Sequence, residues 1–138
     1  MIYKALLLVL MNFMNTEKNS HINDFKWSNR LLLVIDNPDI KISNLMKENA
    51  NSFKEREFVI IFIKDKIISI DGEKVSNKMT KSIFKKIQTI DLDKHKFILI
   101  GKDGGIKNTY PRNRKIVDIF SDVDKMPMRQ YEVHQRKK

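Results

Sequence analysis

Five aliphatic residues in a row, Leu31-Leu32-Leu33-Val34-Ile35, constrain this chain more than any other feature. A strand with one face in water alternates apolar and polar side chains, so a short unbroken run needs apolar cover on both faces. A second run, "EFVIIFIK" over residues 57–64, is rich in β-branched and aromatic residues and reads the same way. The stretch between them has helical spacing. Asn37 is placed to cap a helix, Pro38 suits its first turn and Asp39 suits its positive start. Ile42, Leu45, Met46 and Phe53 then share one face of a helix over residues 39–55. Two doubly buried strands joined by a helix make a parallel pair with a right-handed crossover.

The rest of the chain follows by the same rules. Asp65-Lys66 and Asp71-Gly72 are turn dipeptides, which predicts a small hairpin after the second run. Ser76 caps a helix with Met79, Ile83, Phe84 and Ile87 on its inner face. "FILIGKDGGIKNTY", residues 97–110, reads as two strands around Asp103-Gly104, with Gly105 easing a bulge. Lys102 and Asp103 therefore stand first of all as hairpin residues. Pro111 ends that strand, and Asn113 is placed to cap a helix with Ile116, Val117, Phe120 and Val123 inside. Pro127 breaks the helix, leaving a short final helical turn through Tyr131 and Val133. This element order is the thioredoxin-like arrangement. It implies an α/β domain over residues 21–138, with a central four-stranded mixed sheet of order 2-1-3-4 and helices on both faces.

Composition excludes more than it selects. The 138 residues are 41% apolar and 32% charged, as in a folded globular chain. There is no cysteine, so disulfides, thiolate metal sites and thiol mechanisms are excluded for this sequence. In thioredoxin-like proteins the reactive thiol sits after the first strand, where this chain has Asn37, Pro38 and Asp39. Thiol peroxidase and disulfide reductase chemistry fall away. His21, His95 and His134 are far apart without ligand spacing, and neither a serine elbow nor a phosphate loop is present. No metal or cofactor is expected. The net charge of +10 comes from 27 basic against 17 acidic residues, mostly Lys scattered through every segment. The end, "HQRKK", reads as a solvated cluster. Specific nucleic-acid binding is not expected, and weak electrostatic binding stands as an alternative.

At the start, Lys4 precedes an apolar run from Ala5 to Met11, which is too short to cross a bilayer. The run has the length of a signal-peptide core without an Ala-x-Ala cleavage site. Residues 1–20 are therefore expected to be signal-like or poorly packed, with a periplasmic or secreted location favoured over a cytoplasmic one.

"FKWSNRLLLVI", "EREFVIIFI", "FILIGKDGGIK" and "IFSDVDKMPMRQYE" together resemble a family of unknown function, domain-of-unknown-function family 4174. The resemblance covers residues 25–133. It implies a thioredoxin-like fold with peroxiredoxin kinship, frequent export in bacteria, and a place at the end of sushi-repeat-containing extracellular proteins in animals. It implies no settled activity. The function expected is a non-redox binding or adaptor module at the cell envelope or outside. A thiol-independent enzyme or an oxidative-stress protein is the alternative. The partner expected is an unknown protein or a small anionic ligand. Its candidate contacts are Asn37 and Asp39 after the first strand, Lys102 and Asp103 at the hairpin, and Arg129 after the Pro127 break. Arg30 and Arg129 each need a carboxylate or carbonyl partner. Arg129 is expected to reach Asp124 or Asp103, or to form an anion site with Lys102.

Overall fold

The structure is a computed structural model that describes residues 20–36 and 40–136. A 3-10 turn, Ile22–Phe25, precedes β1 (Arg30–Ile35). Then follow α1 (Ile40–Glu48), α2 (Ala50–Glu55), β2 (Phe58–Lys64), β3 (Ile67–Ile70), β4 (Glu73–Lys74) and α3 (Asn77–Lys86). The chain closes with β5 (Phe97–Ile100), β6 (Ile106–Tyr110), α4 (Ile116–Asp124) and α5 (Pro127–Arg136).

Among the described residues the sheet has six strands rather than the four expected, in the order β4-β3-β2-β1-β5-β6. β1 and β2 are parallel, and every other pairing is antiparallel. The two extra strands are the small hairpin that the turn dipeptides marked. Asp65 and Lys66 both have positive φ, as do Asp71 and Gly72. That backbone twist matches the twist of the flanking strands. Paired to the edge of β2, the hairpin enlarges the sheet.

β1 is buried along its whole length. Leu31, Leu33 and Ile35 face one layer with Ile22, Phe25, the α3 residues Met79 and Ile83, and Ile87 just after α3. Leu32 and Val34 face the other, with Ile42, Met46, Phe53 and the α4 residues Ile116, Ile119, Phe120 and Val123. The unbroken aliphatic run is thus satisfied by helices on both sides. Ser76 caps α3, its side chain accepting from the Met79 amide.

Three expectations need correction. The helix over residues 39–55 is two helices, because Asn49 interrupts it. Its side-chain amide donates to the Leu45 carbonyl, the same oxygen that its backbone N–H uses, and such local bonds compete with helical geometry. Leu45 is exposed. Asn113 does not cap α4; it lies in a turn closed by the Arg114 amide on the Pro111 carbonyl. The helix starts at Ile116, with Lys115 as its N-cap residue, and the spacing of Ile116, Ile119, Phe120 and Val123 makes the inner face, which leaves Val117 exposed. The final turn is a ten-residue helix with Pro127 in its first position. Residues 1–19, most of the signal-like segment, lie outside the described residues. Among the described residues no helix is long and apolar enough to cross a membrane.

Candidate functional site

The first residue of β1 and the loop after β5 lie at the same end of the sheet, because Leu31 pairs with Ile100. β2 also begins there, with Arg30 opposite Phe58. Three buried cations gather at this end: Arg30, Lys102 and Arg129. A buried cation without a partner is costly, by several kcal/mol even after relaxation (about 3–5 when one member of a pair is removed). Their common partner is Glu132 of α5. Arg30 reaches both of its carboxylate oxygens, Nη1 to Oε2 at 3.1 Å and Nη2 to Oε1 at 3.3 Å. Lys102 Nζ donates to Oε1, and Arg129 Nη1 lies 3.8 Å from Oε2.

A second tier surrounds this carboxylate. Lys102 Nζ also donates to Glu57 Oε2 at 2.7 Å, and Arg136 stands 3.5 Å from the other oxygen of Glu57. Arg129 donates to Glu55 Oε1 at 3.1 Å, to the Glu55 carbonyl at 3.2 Å and to Asp124 at 3.4 Å. Arg56 makes a forked pair with Asp124, both contacts at 2.9 Å, and lies over the Phe120 ring. An open cleft of about 460 Å³ runs beside these groups, lined by Glu55, Arg56, Asp124, Arg129, Gln130, Val133 and His134.

The electrostatics follow from the geometry. Burial by itself pushes the Glu132 carboxyl up, but hydrogen bonds from Lys102 and Arg30 outweigh it and hold the group below the usual carboxylate range. The Arg56 fork holds Asp124 below that range as well, with Arg129 adding to it.

Two residues beside the cluster take left-handed backbone conformations. Glu57 has φ 55° and Trp27 has φ 67°, a region that costs a non-glycine residue about 1–3 kcal/mol. Glu57 is held there because its carbonyl accepts from the Arg30 amide and from the Asn29 side chain. Trp27 donates its amide to the Lys102 carbonyl at 2.6 Å, with 67% of the residue exposed.

The structure divides the candidate residues. Lys102 and Arg129 are brought together, with Arg30, on Glu132. Asp103 is not part of the group. It accepts from the Gly105 amide at 2.9 Å and pairs with Lys107, whose hydrogen bond draws its carboxyl below the usual range. Arg129 thus reaches Asp124 and not Asp103. Asn37 and Asp39 lie outside the described residues. Asp36, just before them, is at the opposite end of β1, paired with Lys96 at 3.2 Å. The basic end is not wholly a solvated cluster either, since Arg136 turns back to Glu57. Sequence reasoning missed Glu132 as the centre. The signal was present in "MPMRQYE", where Arg129 and Glu132 are three apart on a helix and so share a face.

A family model described as Domain of unknown function (DUF4174) matches residues 21–132. The chain belongs to this family. The matched region runs from just before the 3-10 turn to Glu132 itself, so the family's span includes every buried cation of the cluster. No curated protein and no solved structure matches the chain.

Proposed function

We propose that this member of the family is a non-redox, thioredoxin-like binding or adaptor module acting at the cell envelope or outside. The parallel β1–β2 crossover, the antiparallel β5–β6 hairpin and the helices on both faces support the fold reading. The cysteine-free sequence supports the non-redox reading. The observation that carries the binding reading is the pair of exposed aromatics flanking the charge cluster. Trp27 is 67% exposed beside Lys102, and Tyr131 is 65% exposed next to Glu132. Trp and Tyr are the side chains that most often anchor protein partners. Trp27 combines this exposure with a left-handed backbone conformation, φ 67°, that costs free energy.

The test is affinity capture of the tagged chain from its own cells, with washes at low and high salt, beside a Trp27→Ala, Tyr131→Ala variant. A defined protein retained at high salt and lost from the variant is expected. Nucleic acid alone, released by salt, would replace this reading with electrostatic binding.

A further inference from the structure

α5 is docked in an unusual way. Its one buried residue is Arg129, while Met128 and Tyr131 are exposed. What holds the helix is charge: Arg129 on Glu55 and Asp124, Glu132 on Arg30 and Lys102, and Arg136 on Glu57. The groups that receive Glu132 do not belong to α5. Arg30 is fixed by β1, with its amide on the Glu57 carbonyl and its Nη1 also on the Arg56 carbonyl. Lys102 is fixed by the β5–β6 hairpin and by the Trp27 amide. The sheet therefore builds the receptor and α5 brings the ligand. The fork of Arg30 across both oxygens, with an ammonium on one of them, is the geometry that recognises a planar carboxylate.

We propose that Arg30 and Lys102 form a carboxylate-binding site that Glu132 occupies in cis, with α5 as the strap that uncovers it for a carboxylate from another source. This rests on the binding-module reading and deepens it: the ligand class is a carboxylate, either free or on an acidic peptide. An ionic strap suits the task because a competing carboxylate can take over its cations and because salt screens its outer pairs on the exposed side chains of Glu55, Asp124 and Glu57, while the apolar layers beneath are unaffected.

The test uses the full chain with Glu132→Ala, which empties the site and leaves both cations in place. Sodium acetate is the small probe, a tri-glutamate peptide the second, and sodium chloride at equal ionic strength the control. Acetate should raise the melting temperature of the variant above the chloride control, at millimolar concentrations, and should leave the native chain unchanged. The response should vanish when Arg30→Lys is added. Rescue by the peptide alone would assign the site to acidic peptides, and rescue by both to carboxylates in general. A folded variant that responds equally to acetate, peptide and chloride overturns the proposal. If Glu132→Ala does not fold, amide exchange of the native chain decides. Raising salt from about 0.1 to about 1 M shortens the screening length from about 10 to about 3 Å. Exchange in α5 should then quicken roughly tenfold, the factor that about 1.4 kcal/mol confers, with α4 unchanged. Equal exchange in both helices overturns the strap. Partner capture can fail while acetate rescue succeeds, so the two readings fail separately.

Discussion

α4 and α5 are consecutive helices of nearly equal length, and they are fixed by opposite physics. α4 buries Ile116, Ile119, Phe120 and Val123 against the sheet. α5 buries Arg129 and half-buries Glu132 among cations. Apolar burial is non-directional and nearly indifferent to salt and pH, at about 1.5–3 kcal/mol for each fully buried side chain. Ionic docking is directional, depends on protonation and is screened. One helix is therefore part of the core, and the other is attached to it by contacts that solution conditions can cancel.

The largest effect expected on this contrast is from Glu132→Ala. It strips Arg30 of its carboxylate and takes one of two from Lys102, which should cost about 3–5 kcal/mol in urea unfolding. A loss well under about 1 kcal/mol would show that the cluster is solvated and that the contrast is false. Ile119→Ala should cost about 2–5 kcal/mol, since the residue is fully buried in the layer under α4. Its cost should be the same at low and high salt, whereas that of Glu132→Ala should shrink. A salt-dependent cost for Ile119→Ala would break the division between the helices.

Acid should separate the helices next. Glu132 and Asp124 both have carboxyls lowered in the folded chain. Their stabilisation is complete above the unfolded carboxylate values, about 3.9–4.3, and is lost as pH falls through the lower folded ones. Amide exchange below about pH 4 should therefore open α5 before α4. Simultaneous opening would count against ionic docking.

A smaller effect belongs to Tyr110. Its hydroxyl donates to Asp122 Oδ2 at 2.6 Å, and burial, then that carboxylate, push its ionisation far up. Its contribution is present below the unfolded phenol value of about 10 and is lost as pH rises beyond it. Tyr110→Phe should cost about 1 kcal/mol and remove a late step from the absorbance titration at alkaline pH. The smallest change is expected from Asp103→Asn. It keeps an acceptor for the Gly105 amide and loses an exposed pair with Lys107 worth under about 1 kcal/mol. A large loss in thermal unfolding would mean that Asp103 does more than shape the turn.

Hairpins and the doubly buried β1 were legible because their causes are local, whereas β2, expected to be covered on both faces, is fully buried only at Ile61 and Ile63, with Phe58, Ile60 and Phe62 half-buried on its other face. Leu31 to Ile35 announce two covering layers, and Asp65-Lys66, Asp71-Gly72 and Asp103-Gly104 announce reversals. Gly104 does take a positive φ, of 84°. Less legible were features set by competition. Asn49 breaks a helix because one side-chain amide takes a carbonyl, and α4 begins late because a turn consumes residues around Asn113. Lys102 shows the limit most clearly. Beside Asp103 in the sequence it reads as a second polar turn residue, yet Asp103 faces solvent and Lys102 is buried between two glutamates.

The sequence by itself determined the buried β1, the hairpin turns, the helices on the two faces of β1 and the lack of cysteine, since these follow from periodicity, backbone preference and residue type. Only the tertiary structure decided that Arg30, Lys102 and Arg129 share one carboxylate. Arg30 and Glu132 are 102 positions apart, and a charge finds its partner through the whole fold, not through its neighbours in the chain.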